Sequence, residues 1–217
     1  MQLSITKLLT LNKEKAMKKI FMMAVMAVAA LTANAQNEVG QFTLMPKAGI
    51  NISTITGDIL YEKKSKVGFV GGVEAEYGVA ENFGIAFGVL YSMEGAKAKA
   101  GKASGNGIGL ALVDANYNLS YINIPILAQF YPVKGLAIKA GIQPAFKASA
   151  KVSVDGEKTK LEDVKGFNLS IPVGLSYEYA KFVLDARYNI GLTKLVKEAD
   201  QGRNSTFAIT LGYKFAL

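Results

Sequence analysis

The chain has 217 residues, 25 of them Lys or Arg against 17 Asp or Glu, for a formal net charge of +8; that length suits one domain, and no Pro-rich or Ser-rich linker divides it. It has no cysteine and no histidine, which excludes disulfides, thiol chemistry, a lipidated N-terminal cysteine, Cys/His metal sets and acyl-transfer chemistry that relies on a histidine base.

The first element is an export signal. Lys18 and Lys19 make a basic start, residues 20–31 an apolar run, and Ala33-Asn34-Ala35 a small-residue cleavage site, which are the three parts of a signal peptide. The run is shorter than the roughly 20 apolar residues of a spanning helix, so export is expected and not a helical anchor. Met17 opens a self-sufficient signal and is a candidate start, with residues 1–16 upstream of it. Residues 1–35 are therefore read as signal peptide and 36–217 as one folded domain. Without the signal, 20 basic and 16 acidic residues remain, a net of +4. The remaining lysines are scattered along an exported chain, so no nucleic-acid partner is expected.

From residue 42 the chain alternates. Residues 42–52 place Phe42, Leu44, Ala48, Ile50 and Ile52 on one face, and residues 67–79 place Val67, Phe69, Val73, Ala75, Tyr77 and Val79 opposite Gly68, Gly72, Glu74, Glu76 and Gly78. Residues 83–93 repeat the pattern with Phe83, Ile85, Phe87, Val89, Tyr91 and Met93; residues 121–131 with Ile122, Ile124, Ile126, Ala128 and Phe130; residues 136–146 with Leu136, Ile138, Ala140, Ile142 and Phe146. Residues 167–179 set Phe167, Leu169, Ile171, Val173, Leu175, Tyr177 and Tyr179 against polar and small residues; residues 182–192 follow, and residues 206–217 alternate from Phe207 to Leu217. Period-two alternation marks strands with two unlike faces, and about 11 residues is enough for a tilted strand to cross hydrocarbon.

The connections differ by parity. Ala80-Glu81-Asn82, Pro132-Val133-Lys134-Gly135 and Ala180-Lys181 are tight turns, whereas residues 53–66, 95–118, 147–166 and 193–205 read as long polar loops. Short turns on one rim, long loops on the other and an even strand count are the layout of outer-membrane barrels. Hydrocarbon cannot satisfy free backbone groups, so the first and last strands must pair. The expected fold is all-β: an eight-stranded antiparallel up-and-down transmembrane β-barrel of outer-membrane type, located in the outer membrane of a Gram-negative bacterium. A soluble lipocalin-like barrel would turn its bulky apolar face inward, and here that face is too large for so narrow an interior.

The segments Pro46-Lys47-Ala48-Gly49-Ile50-Asn51, Tyr121-Ile122-Asn123-Ile124-Pro125-Ile126 and Phe130-Tyr131-Pro132 resemble the PorT-like outer membrane β-barrel proteins. The resemblance spans roughly residues 42–217. It implies the barrel and its location and leaves the biochemical role open.

Tyr77, Tyr91, Tyr131, Tyr177, Tyr179, Tyr188 and Tyr213 lie near strand ends, where an aromatic girdle would meet the headgroups. The face turned from lipid carries Lys47, Glu74, Glu76, Glu94, Lys139, Glu178, Asp185, Arg187 and Lys214, with Lys147 at a rim, five of each sign. Unpaired buried charge is costly and an eight-stranded bore is just wide enough for side chains to fill. These charges are expected to form a plugging network, for which Glu74, Glu76, Arg187 and Lys214 are candidates, with their mutual contacts left open. The function expected is a non-enzymatic structural or surface-interaction scaffold acting through long extracellular loops; the alternative is a small porin or transporter. No metal or cofactor is expected. The expected partners are outer-membrane lipids and lipopolysaccharide, the barrel assembly machinery through the C-terminal strand, and a surface protein or ligand that the sequence does not define. Lys97, Lys99 and Lys102 could reach lipopolysaccharide phosphates but read first as a solvated loop. The runs Gly105-Asn106-Gly107-Ile108-Gly109, Asp155-Gly156-Glu157 and Glu162-Asp163 read as loop and turn, lacking the context of a phosphate or calcium site.

Overall fold

The structure is a computed structural model that describes residues 39–56, 61–103, 110–154, 157–160, 165–194 and 202–217. The export signal, the run from Gly105 to Gly109, Asp155-Gly156 and Glu162-Asp163 lie outside these residues.

The alternating segments pair into antiparallel strands: β1 (Phe42–Thr56), β2 (Tyr61–Ala80), β3 (Phe83–Ala103), β4 (Leu110–Asn123), β5 (Ile126–Val133), β6 (Leu136–Val154), β7 (Glu157–Lys160), β8 (Phe167–Tyr179), β9 (Phe182–Gly191), β10 (Arg203–Tyr213) and β11 (Phe215–Ala216). Strands β4 and β5 together make one stave of a barrel, as do β10 and β11, while β7 pairs only with the far end of β6. Eight staves result. The first break has a covalent cause. Pro125 has no N–H for the ladder, so the wall is held there by Ile124 N donating to Pro144 O at 2.8 Å and Gly88 N donating to Pro125 O at 3.1 Å.

Closure is complete in register. Strand β1 pairs with β10 from Lys47↔Gly212 to Thr56↔Arg203, and Leu217 N donates to Phe42 O at 2.9 Å. Stepping across paired neighbours from Asn51 leads through Ala208, Arg187, Gly174, Lys139, Gln129, Gly84 and Gly78 to Gln41, ten positions below the start. A shear of that size on eight strands tilts them steeply and leaves a bore that side chains fill.

The two faces separate as the alternation requires. Ile50, Phe69, Phe87, Val89, Ile138, Leu175, Leu184 and Leu211 are exposed on the outside, whereas Met45, Val70, Leu90, Leu127 and Val183 are buried inside with the polar set.

Three of the four connections expected to be long polar loops are largely strand. Strand β3 continues to Ala103 and β4 begins at Leu110; β6 runs to Val154 and turns back as β7; β1 and β2 extend to Thr56 and from Tyr61. In the fourth, β10 starts at Arg203 and a lone bridge joins Lys194 to Arg203. The physical reason is that β-pairing satisfies the backbone at any height, whereas the apolar signal stops where lipid stops. The short turns hold the opposite rim, with Ala180 and Lys181 at φ 47° and 74°.

Candidate functional site

Among the described residues, the inward face of the barrel carries several groups of polar side chains, three of them holding the buried charges and stacked from the short-turn rim to the long-hairpin rim. The middle group spans the bore. Arg187 on β9 donates through Nη1 to Glu74 Oε1 at 2.8 Å and through Nη2 to Glu74 Oε2 at 3.3 Å and to Asp185 Oδ2 at 3.1 Å. Lys139 on β6 donates to Asp185 Oδ2 at 2.8 Å, and Lys47 on β1 donates to Glu74 Oε2 at 3.1 Å and lies 3.5 Å from Asp185 Oδ2. Strands β1 and β6 stand on opposite sides of the ring, so Lys47 and Lys139 meet one carboxylate across its full width. Glu74 is 1% exposed. A fork-on-fork Arg–carboxylate contact in a dry interior is both strong and geometrically exacting.

The group nearer the short turns is separate. Lys214 Nζ lies 2.6 Å from Glu178 Oε2 and 3.1 Å from Glu76 Oε2, and the Tyr131 hydroxyl donates to Glu76 Oε1. The four candidates for the network thus fall into two groups: Glu74 with Arg187, and Glu76 with Lys214.

The group nearer the long hairpins is built on amides. Glu94 accepts from Asn123 Nδ2 at 3.3 Å and from Asn204 Nδ2. Asn51 Nδ2 donates to Ser92 Oγ at 2.8 Å and Ser53 Oγ to Gly95 O at 2.9 Å. At the rim above it, Lys66 Nζ donates to Asn118 Oδ1 at 2.6 Å and to Glu94 O at 3.2 Å. Between the middle and upper groups lies a cavity of about 20 Å³ lined by Lys47, Asp185, Arg187, Ser92 and Asn123 among others. That is the size of one water molecule, not of a channel.

All nine charged residues expected on the inner face lie there, Glu178 the least enclosed of them, and Lys147 is half-buried at the rim beside Tyr121. Sequence reasoning did not single out Asn51, Asn123, Asn204, Gln129 or Tyr121, which is 0% exposed. Their place opposite the outward apolar residues of their own strands was the available signal. Of the aromatic set, Tyr77, Tyr91, Tyr179 and Tyr188 are exposed outward and Tyr177 and Tyr213 are half-buried. Tyr213 stacks edge-on with Phe182 at 5.1 Å between ring centres. Tyr131 is a correction: its hydroxyl turns inward to Glu76 and does not face the headgroups. Burying the ring edge along the lumen gives Glu76 a second partner, which outweighs an interfacial position.

A family model described as outer membrane protein beta-barrel domain matches residues 34–197. No curated protein matches the sequence. Among solved structures, Neisserial surface protein A aligns with 80% of this chain and 97% of its own at 18% identity and a TM-score of 0.52. The attachment invasion locus protein Ail of Yersinia pestis aligns with 82% of this chain and 100% of its own, at 20% identity and a TM-score of 0.47. The outer membrane protein OprG from Pseudomonas aeruginosa gives 82% and 97%, at 12% identity and a TM-score of 0.41. At such identities the likeness is one of fold.

Proposed function

The chain belongs to the outer membrane protein beta-barrel domain family and lies in the outer membrane, and from that premise we propose that it is a non-conducting, non-enzymatic barrel that displays its long hairpins at the cell surface. The observation that carries this reading is the ion-pair group of Lys47, Glu74, Lys139, Asp185 and Arg187, which crosses the bore from one wall to the other. Buried charges in direct mutual contact are costly to separate, so the group resists hydration by a passing ion. Within the family, the PorT-like barrels are the narrower affiliation, supported by the segments around Lys47 and Tyr131. Lipopolysaccharide and other outer-membrane lipids are the proposed surroundings, and the C-terminal strand, which closes on β1, is the proposed element handed to the assembly machinery.

Planar-bilayer recording tests the reading. The purified protein, shown to be folded by a gel mobility that changes on boiling, is expected to give no steady conductance. Steady openings that weaken in Arg187→Gln or Glu74→Gln would replace this reading with a small pore.

A further inference from the structure

In the group nearer the long hairpins, one buried acid has no ion-pair partner. The carboxylate of Glu94 accepts from Asn123 Nδ2 and Asn204 Nδ2, and the hydroxyls of Ser92 and Thr206 lie against it. Among the described residues, the neighbouring cations are engaged elsewhere. Lys66 Nζ donates to the backbone carbonyl of Glu94 and to Asn118 Oδ1, while Lys47, Lys139 and Arg187 are held by Glu74 and Asp185. A carboxylate enclosed without a counter-charge is costly, and the amides and hydroxyls around Glu94 bring no charge to offset it.

The same group holds oxygen atoms without donors. Asn51, Asn123 and Asn204, like Glu94 itself, are at most 4% exposed, and each of the three has a buried Oδ1 with no hydrogen-bond partner. The buried hydroxyl of Tyr121 has none either. Asn51 joins the group through Ser92, whose Oγ accepts from its Nδ2 at 2.8 Å; Tyr121 pairs with Ser92 across the strands, and its hydroxyl lies in the field of the Glu94 carboxylate.

One ligand answers both deficits. A cation seated on Glu94 supplies the missing charge, and hard cations take oxygen ligands of this kind, a carboxylate with amide carbonyls. A half-turn of an amide head exchanges its N–H and C=O, so Asn123 and Asn204 can turn their carbonyls to such a cation. Charge selects the valence. A single carboxylate among neutral oxygens carries one negative charge, which a monovalent cation cancels. A divalent cation would leave surplus positive charge beside a middle group that already holds three cations against two anions. The cavity of about 20 Å³ that borders Ser92, Asn123 and Thr206 gives room for one water molecule in the coordination shell.

We propose that Glu94, Asn51, Asn123, Asn204 and Tyr121 form a binding site for one monovalent metal cation of the sodium class. The donors come from β1, β3, β4 and β10, so the bound ion ties the closing pair of strands to the wall beyond β2. An ion held by the folded barrel alone stabilises it by mass action. The site goes beyond the surface-scaffold reading and does not depend on it.

The test is the unfolding midpoint of the folded protein in neutral detergent, read by gel mobility, as N-methylglucamine chloride is replaced by sodium chloride at constant ionic strength. The midpoint is expected to rise along a saturating curve. Glu94→Gln, which keeps the shape and removes the buried charge, should match or exceed the native midpoint without sodium and lose the dependence on it. Asn123→Asp doubles the negative charge of the site and is expected to shift its preference from sodium to calcium. A flat sodium curve would overturn the proposal, as would a dependence that survives Glu94→Gln. Stronger stabilisation of the native protein by calcium than by sodium would overturn the monovalent assignment. Conductance is a separate readout: a leaking barrel refutes the plugged lumen and leaves the sodium dependence to be decided by its own curve.

Discussion

Arg187 bridges two carboxylates, yet counting charges makes Glu74 the more demanding position. The middle group holds Lys47, Lys139 and Arg187 against Glu74 and Asp185, three cations to two anions. Replacing Arg187 by Met leaves two of each sign, still in contact; replacing Glu74 by Gln leaves three buried cations around Asp185. Breaking a buried pair by removing one partner costs about 3–5 kcal/mol. Glu74→Gln is expected to cost that much in urea unfolding from vesicles, and Arg187→Met clearly less; the reverse order would refute charge balance as the organising rule of the lumen. At this scale parity was informative but incomplete. It put all nine charges inside. It also put Tyr131 inside, on the side of Leu127 and Gln129, but proximity to a strand end was given more weight. What sequence could not supply was the partner, because Glu76 is 55 positions away and only closure of the ring brings the two together.

Strands were legible as far as lipid reaches and no further. Between Phe83 and Met93 the outward side must be apolar, and the alternation declares it; beyond Met93 the same ladder runs on to Ala103 through residues that read as loop. The bulge at Ala148 was hidden for a different reason, since an extra residue is visible only against the strand that it pairs with. The turns obey local chemistry more closely, with one exception that can be tested. Ala180 and Lys181 both adopt positive φ, the conformation of a two-residue hairpin turn that strongly prefers Asn-Gly. A non-glycine residue in the left-handed region is strained by about 1–2 kcal/mol. Replacing Ala180-Lys181 with Asn-Gly is expected to stabilise the barrel by about 1 kcal/mol, measured as a raised urea midpoint with an unchanged slope. No change in midpoint would mean that the native turn carries no strain.

At the scale of the whole molecule, the barrel is turned inside out relative to a soluble one: polar groups are enclosed, and a belt that includes Phe69, Phe87, Ile138, Leu175 and Leu211 faces outward. A water-soluble monomer rarely exposes so broad an apolar surface. The belt therefore makes a claim about solvent that one substitution can test. Val173 lies midway along β8, outward and 38% exposed, six positions from both Phe167 and Tyr179. If water surrounded the barrel, arginine there would be accepted at little cost. In a bilayer, arginine at the midplane of a barrel costs about 2–4 kcal/mol, falling to about 0–1 near the interface. Val173→Arg is therefore expected to lower unfolding free energy in vesicles by the larger amount and Tyr179→Arg, at the turn-side end of the same strand, by the smaller. Equal costs at the two positions would contradict the depth profile and with it the placement of β8 across hydrocarbon. Because β8 pairs with β6 and β9 and, through successive pairings round the ring, is tied to every other stave, a depth measured on that one strand fixes the height of the remaining seven.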